Sequence, residues 1–307
     1  MSRDVRPPDQ RVARPVHNRE VPNEKGGRPS WLKVRLHITP ELEQVRRLVK
    51  ENGLNTVCAS ANCPNLGECW ARGTATFMIG GNTCTRRCSF CDVSTGKPDG
   101  LDPFEPGRVA DAVRKLGLRF AVITCVARDD LLDGGAAQMA ATVRAIRECS
   151  PGTGVEVLIS DYKGDEEALR CVLGTNPDVL NHNIETVERL QRKVRPAASY
   201  ACSLGVLRRA RQLREDIPTK SGMILGMGER EEEVDRTLCD LRDAGVTLLT
   251  MGQYLRPSDD HLPVDRWVPP DEFDAWSVRA RALGFRDVAA GPLVRSSYHA
   301  DELATVR

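Results

Sequence analysis

The chain has 307 residues, 40% of them hydrophobic, a net charge of +1 and eleven cysteines. That length can bury a sizeable core. The balanced charge leaves no electrostatic footprint for nucleic acid or an anionic membrane, and no run of 18 apolar residues offers a bilayer span. With no apolar export segment at its start, so many cysteines point to a reducing, cytoplasmic setting in which thiols do chemistry and do not form disulfides.

Residues 1–30 contain five prolines, many charges and few aliphatic side chains, so this stretch cannot bury a core and is expected to be a flexible arm. It is arginine-rich, as a mitochondrial presequence is, but Asp4, Asp9, Glu20 and Glu24 count against that reading. Next comes a cysteine triplet, Cys58, Cys63 and Cys69, spaced Cys-x4-Cys-x5-Cys. A strand is predicted at Thr76–Ile79, and a second triplet, Cys84, Cys88 and Cys91, follows it with the spacing Cys-x3-Cys-x2-Cys.

Six cysteines within 34 residues are open to three readings. A disulfide knot fits small secreted chains. Zinc takes thiolates too, but its structural sites use four protein ligands, often as two Cys-x2-Cys pairs, and no histidine stands near either triplet. Iron–sulfur clusters suit triplets: three thiolates on a four-iron cube leave one iron for another ligand. At the second triplet that open iron could bind a small molecule and pass it an electron.

Beyond the triplets, apolar runs alternate with amphipathic stretches. Strands are predicted at Phe120–Val126, Val155–Ile159, Val179–Asn183, Lys220–Leu225 and Thr247–Tyr254. Helices are predicted at Pro106–Leu116, Gly135–Cys149, Asp165–Leu173, Ser199–Glu215, Glu229–Ala244 and Pro270–Leu283. In the fifth of these, Val234, Leu238 and Leu241 recur at helical spacing. Alternating strands and helices predict right-handed βαβ units and a parallel sheet, with functional residues on the loops after the strands. Six units are too few for a complete eight-unit barrel.

Several loops carry the right chemistry for a zwitterionic ligand. Thr124 ends the second strand and leads into Arg128, Asp129 and the paired glycines 134 and 135. Asn183 and Glu185 share one parity after the fourth strand, with helix capping by Asn183 or Thr186 as the alternative. An apolar strand ending in Gln253 and Tyr254, then Arg256 and Pro257, fits a strand tip facing a pocket, and His261 offers a proton acceptor there, although a loop histidine is more often simply exposed. Cys125 reads as a small packed residue, and Cys149, Cys171, Cys202 and Cys239 as core. Gly226-Met227-Gly228 lacks the lysine and spacing of a phosphate loop.

The stretch Cys84-Thr-Arg-Arg-Cys88-Ser-Phe-Cys91 resembles the radical S-adenosylmethionine signature. With Cys58-x4-Cys63-x5-Cys69, Gly73-Thr-Ala-Thr-Phe-Met-Ile-Gly80 and Arg295-Ser296-Ser297-Tyr298, the chain resembles the lipoyl synthase family from about Trp31 to His299. The resemblance implies an α/β fold, a partial (β/α)6 TIM-type barrel. Its divisions would be a flexible arm at 1–30, an extension with the auxiliary-cluster motif at 31–72, the barrel at 73–285, and a segment at 286–307 closing on the auxiliary cluster. Two 4Fe–4S clusters are implied. Cys84, Cys88 and Cys91 would hold the one that binds and cleaves S-adenosylmethionine. Cys58, Cys63 and Cys69 would hold the other, with a serine of the terminal motif as fourth ligand, here Ser297. Thr124, Arg128, Asp129, Asn183, Glu185 and Arg195 would contact the cofactor.

The activity implied is sulfur insertion at carbons 6 and 8 of an octanoyl-lysine, with the auxiliary cluster sacrificed as sulfur donor. The substrate would sit on a lipoyl-carrier domain, either a 2-oxo acid dehydrogenase acyltransferase or the glycine-cleavage H protein. A ferredoxin or flavodoxin reductant and an iron–sulfur carrier are also implied, with no nucleic acid and no membrane as partners. Biotin synthase would not pair this upstream triplet with a terminal Arg-Ser-Ser-Tyr, and a methylthiotransferase should carry a basic RNA-binding appendage. From another class, a two-cluster electron carrier would need far fewer residues and full cysteine ligation.

Overall fold

The computed structural model describes residues 28–32, 40–57, 63 and 65–305. Cys58 and all but the last three residues of the arm expected at 1–30 therefore lie outside the described residues. Among the described residues there are ten strands: β1 (Asn55–Thr56), β2 (Thr74–Ile79), β3 (Thr83–Cys84), β4 (Ser94–Thr95), β5 (Phe120–Cys125), β6 (Gly154–Leu158), β7 (Val179–Asn181), β8 (Thr219–Leu225), β9 (Leu248–Gln253) and β10 (Asp287–Gly291). Eight form one sheet in the order β1-β2-β5-β6-β7-β8-β9-β10, and β3 and β4 pair separately. Every neighbour from β2 to β10 is parallel, whereas β1 runs antiparallel on the β2 edge.

Parallel neighbours need a crossover, and a helix supplies each one. The six helices are Glu105–Lys115, Ala136–Cys149, Glu166–Leu173, Tyr200–Leu213, Glu231–Asp243 and Pro270–Ala282, close to the predicted bounds. Strands covered on both faces bury every residue, as β2 and β9 do. This is the partial-barrel arrangement expected, with one strand more. β10, Asp-Val-Ala-Ala-Gly, has only one branched apolar residue and one buried position, so its sequence carries no strand signal. Its register with β9 makes it a strand. The sheet thus runs past the boundary expected at 285 to Gly291.

Two apolar cores fill the layers between sheet and helices. The first is built on β2, β5 and β6, with Cys63 and Cys69 packed against it. The second is built on β8 and β9, with Phe90 against it. Inside the sheet sits a buried ion pair: Lys220 Nζ on β8 lies 2.9 Å from Glu156 Oε2 on β6, both side chains fully buried. Asn181 on β7 donates from Nδ2 to Glu156 Oε1 at 2.7 Å. Lys220, Ser221 and Gly222 lie within β8, on the strand predicted at Lys220–Leu225, and with Asn181 the ion pair ties three neighbouring strands together. Cys149 and Cys239 are exposed, against the expectation of four core cysteines. Cys239 sits one position past Leu238, whose neighbours Val234 and Leu241 turn the other face of that helix inward. No helix among the described residues is long and apolar enough to cross a membrane.

Candidate active site

At the C-terminal ends of the strands lies a cavity of about 810 Å³, lined by Cys84, Cys88 and Cys91 together with Thr124, Asn183, Glu185 and Arg195. The loop bearing the three cysteines follows β2 and is fastened at three places. Thr85 donates from N and Oγ1 to the Ala127 carbonyl after β5, at 3.0 and 2.9 Å. Ser89 N donates to the Val194 carbonyl at 2.9 Å, and its own carbonyl accepts from Leu262 N at 3.0 Å. His261 Nε2 lies 3.0 Å from the Cys91 carbonyl and Nδ1 2.8 Å from Ser258 Oγ. His261 is thus a half-buried brace, not the exposed histidine that base rates favour.

The strongest fastening is ionic. Arg86, 7% exposed, meets Asp129 through Nε and Nη2 at 2.7 and 2.9 Å. It meets Asp161 through Nη1 and Nη2 at 2.8 and 2.6 Å. Its backbone N–H also points at Cys84 Sγ, 3.4 Å away. Hydrogen bonds and charge from both carboxylates outweigh burial and hold this guanidinium well above its usual range. Planar bidentate pairs of this kind fix orientation as well as charge.

Ion pairs engage two of the residues expected to contact the cofactor. Asp129 does not face the cavity, because both its oxygens are taken by Arg86. Arg128, 2% exposed, is also withheld: it pairs with Asp130 at 2.9 and 2.8 Å. Its remaining donors reach the Gly80 and Asp99 carbonyls at 2.9 Å. It braces the turn leaving β2. Gly226 and Met227 donate their N–H groups to Glu229 at 2.6 and 2.9 Å, so that loop holds a carboxylate of its own chain.

On the wall facing the cysteines, Asn183 and Glu185 sit beyond β7. Glu185 has φ +64, a left-handed conformation that costs a non-glycine residue energy. It is held there by Glu185 N to the Gly222 carbonyl and Ile224 N to the Glu185 carbonyl, at 2.9 and 2.8 Å. Burial pushes its carboxyl up, while Arg195 pulls it down. Neither Asn183 nor Thr186 caps a helix, since the next helical turn starts at Glu188. Arg195 donates from Nη1 to the carbonyls of Asn183 and Ile184, both at 3.2 Å. Gly222 is small by necessity: a Cβ there would lie 2.7 Å from Asn183 Oδ1 and 2.9 Å from Thr250 Oγ1. Sequence reasoning missed Thr250, which lines the cavity from inside the apolar run of β9.

His182, 1% exposed, also lines the cavity. A carbonyl can only accept, so Nδ1 donates to Ile159 O at 3.0 Å, and Nε2 accepts from Ser203 Oγ at 2.9 Å. Burial, with Arg195 adding to it, lowers its pKa from 6.5 to about 4. The unfolded chain takes up a proton below pH 6.5 that the folded chain refuses until about pH 4. Stability from this group is therefore lost as pH falls through that window, at about 1.4 kcal/mol per pH unit. Urea unfolding of the apoprotein at pH 7, 6 and 5 measures this slope, and His182→Gln is expected to flatten it.

The C-terminal tail closes the opposite side. Gly252 on β9 admits it, since a Cβ there would stand 2.1 Å from the Val294 carbonyl oxygen. Asn65 Nδ2 donates to the Leu293 carbonyl at 2.7 Å. Tyr298 OH donates to Glu68 at 3.2 Å, and His299 Nε2 lies 2.9 Å from the same carboxylate. The two serines are thus bracketed by contacts to the segment between Cys63 and Cys69. Ser296 lines the cavity and Ser297 does not. Neither Cys63 nor Cys69 reaches the cavity wall.

Among the described residues, no group of three or more His, Cys, Asp or Glu is arranged as the ligands of one ion. A 4Fe–4S cluster asks for a different layout, one thiolate per iron corner. The cysteines fit such a group. Burial pushes Cys88 up to about 11 and Cys91 to about 12, so as free thiols they stay protonated until iron replaces the proton. Asn183 Oδ1 and Thr250 Oγ1 are buried without hydrogen-bond partners among the described residues, which suits a polar ligand bringing donors.

Comparison with known proteins agrees. The Radical SAM superfamily model matches residues 78–241. Among solved structures, HydG, a maturase of the FeFe-hydrogenase, aligns with TM-score 0.57 at 14% identity, over 80% of this chain and 64% of its own. Streptococcus suis SuiB bound to S-adenosylmethionine aligns with TM-score 0.55 at 6% identity, over 73% of this chain and 52% of its own. Both likenesses are of fold. Curated relatives are much nearer. The lipoyl synthase of Rubrobacter xylanophilus is 53% identical over 96% of this chain and 92% of its own. That of Mycobacterium tuberculosis is 54% identical over 94% and 91%. The fold and cysteine loop define a radical S-adenosylmethionine protein, which implies a 4Fe–4S cluster and that cofactor. Within that class, the chain belongs to the lipoyl synthase family.

Proposed function

We propose that this chain is a sulfurtransferase that inserts sulfur at carbons 6 and 8 of a protein-bound octanoyl-lysine, giving lipoyl-lysine. The reading is carried by one juxtaposition: a fastened three-cysteine loop at the barrel mouth, opposite a serine tail bonded to the segment between Cys63 and Cys69. When bound, the cluster at Cys84, Cys88 and Cys91 supplies the electron that splits S-adenosylmethionine into methionine and a 5′-deoxyadenosyl radical, and the cluster at Cys58, Cys63 and Cys69 supplies sulfur.

The chain's own residues do the rest. The fastened loop sets the three thiols in place before any cofactor arrives. Asn183, Glu185 and Thr250 offer polar atoms to the zwitterionic cofactor, and Thr124, which donates to the Leu158 carbonyl at 2.9 Å, keeps its oxygen free to accept. Met78, Leu158, Met223 and Ile224 give the cavity apolar wall, which excludes water and suits an octanoyl chain. Ser297 is our choice as the fourth ligand of the second cluster, the tail segment at 286–307 acting as its lid. Its neighbour Ser296, on the cavity wall, would face the substrate. The arm at 1–30, the extension at 31–72 and the barrel are the remaining divisions. No acid–base pair is needed, in keeping with a neutral His182.

The substrate arm would be presented by an octanoylated lipoyl-carrier domain, of a 2-oxo acid dehydrogenase acyltransferase or the glycine-cleavage H protein. A ferredoxin or flavodoxin would reduce the enzyme, and an iron–sulfur carrier would refill it in the cytoplasm. The test is an anaerobic assay with reconstituted enzyme, reductant, S-adenosylmethionine and an octanoyl-lysine peptide, read by mass spectrometry. Lipoyl product, absent from a Cys63→Ala variant that still makes 5′-deoxyadenosine, is expected. Deoxyadenosine with no sulfur in the peptide would remove lipoyl synthesis and leave a radical enzyme. Neither product from iron-loaded protein would favour a two-cluster electron carrier.

A further inference from the structure

Exposed cations crowd the outer side of the loop that carries Cys84, Cys88 and Cys91. Arg87 immediately precedes Cys88, its Cα no more than about 7 Å from that of Ser89. Ser89 donates from Oγ to the Lys193 carbonyl at 3.1 Å. That bond seats the short helix Gln191–Val194, with Arg192 and Lys193, against the loop. On the other flank, Lys163 Nζ donates to the Asp129 carbonyl at 3.2 Å, beside the carboxylate that grips Arg86. Arg87, Lys163, Arg192 and Lys193 are all exposed. None of them lines the cavity, so they occupy the solvent face of the loop.

The charge on this face is not balanced. Arg86 and Lys163 offset Asp129 and Asp161. Arg87, Arg192 and Lys193 are left over, for none meets a carboxylate at ion-pair distance among the described residues. Glu188, one turn before Arg192, pairs with none of them, and Asp92 lines the cavity. In a chain with a net charge of only +1, such a local surplus is a field that an anionic surface would follow inward. So small a cluster cannot track a nucleic-acid backbone. It suits the small, electrostatically steered contacts that redox proteins make.

Position separates two candidate partners. A carrier domain must feed its octanoyl-lysine through the cavity mouth, so its contacts belong on the cavity rim. An electron donor has the opposite need. The chamber is filled by cofactor and substrate when the electron is wanted, so the donor has to approach from behind the loop. Electron transfer falls steeply with distance, and Arg87 is covalently next to Cys88. We infer that Arg87, Lys163, Arg192 and Lys193 form the docking face for an acidic one-electron carrier protein of the ferredoxin kind. The carrier loses one electron to the group held by Cys84, Cys88 and Cys91, and no atom moves. Lys163, Arg192 and Lys193 steer the encounter, and Arg87 marks the point of closest approach.

The inference rests on the proposed radical chemistry, and the test keeps the two apart. Wild type, Arg192→Glu with Lys193→Glu, and the charge-preserving Arg192→Lys with Lys193→Arg are reconstituted anaerobically with iron and sulfide. Arg144→Glu with Arg236→Glu, at exposed positions on the helices Ala136–Cys149 and Glu231–Asp243, changes the net charge equally elsewhere. Binding of an acidic ferredoxin is measured by calorimetry at low and high salt. Deoxyadenosine formation is followed with limiting reduced ferredoxin and, separately, with dithionite, which needs no docking. Charge reversal is expected to weaken ferredoxin binding about tenfold at low salt, with the gap closing as salt screens the face. Ferredoxin-driven turnover should fall in step, dithionite-driven turnover should not, and the other two variants should follow wild type. Equal ferredoxin affinity in wild type and the reversed variant would overturn the docking face alone. So would a loss that dithionite shares. Unchanged ferredoxin binding with a raised KM for octanoylated carrier protein would overturn it too, and hand the face to the acyl carrier. Wild type that makes no deoxyadenosine even with dithionite would sink the radical reading, and the docking face with it.

Discussion

An Arg86→Ala variant is expected to lose on the order of 100-fold in 5′-deoxyadenosine formation, the scale of a misplaced reacting group, and about 3–5 kcal/mol of stability, the scale of a broken buried pair. The substitution strips the cation from between Asp129 and Asp161, whose side chains are 24% and 3% exposed. Two carboxylates then face each other out of water, and one must bind a proton or the loops must part. Either outcome frees the loop two residues after Cys84 and two before Cys88. Arg86→Lys should rescue little, because an ammonium cannot make four directed bonds to two carboxylates. Adding Asp161→Ala to Arg86→Ala should recover stability without recovering rate. Urea unfolding of the apoproteins and single-turnover assays of the loaded ones check the two halves. Equal rates in wild type and Arg86→Ala would show that the other fastenings suffice to place the cysteines.

Lys220→Met should destabilise the fold by about 3–5 kcal/mol as well, with the opposite functional signature. It leaves Glu156, fully buried, with only the Asn181 amide as partner. Neither Lys220 nor Glu156 lines the cavity, so turnover per folded, loaded molecule should hold. Replacing both members, as Glu156→Leu with Lys220→Met, is expected to return most of the loss, because no charge is then stranded. Urea unfolding of the two singles and the double gives the coupling directly. A single variant as stable as wild type would show that the buried pair contributes nothing net to the fold.

Much of the barrel was legible because parallel strands buried on both faces are written as continuous apolar runs. Phe120–Val126 is such a run, and it fell on a strand. The misses have local causes. β10 has no branched run and owes its conformation to β9. The partner of Lys220 had no signal in its own stretch, because a charged side chain inside a sheet is intelligible only once Glu156 is beside it. The six cysteines stood out by spacing, and Cys84, Cys88 and Cys91 do come together on one wall. Asp129 meets a partner 43 residues away in sequence, which its own stretch does not show, whereas Arg128 pairs with Asp130 in that stretch. Thr250 had no signal at all, hidden in an apolar strand.

The tail's contacts with the segment around Asn65 and Glu68 join residues 228 to 231 positions apart. Closing so long a loop is entropically costly, and only the completed sheet brings its ends together. The cysteine loop after β2, by contrast, is fastened to elements that are finished by residue 262. A nascent polypeptide would therefore present the two cysteine sets on different schedules. The Cys84 set could be dressed with iron while the last residues are still being made, whereas the Cys63 set waits for the final turn of the chain. Truncation after Gly291 should thus yield a protein that cleaves S-adenosylmethionine and transfers no sulfur, stalled at the stage every newly made copy must pass through.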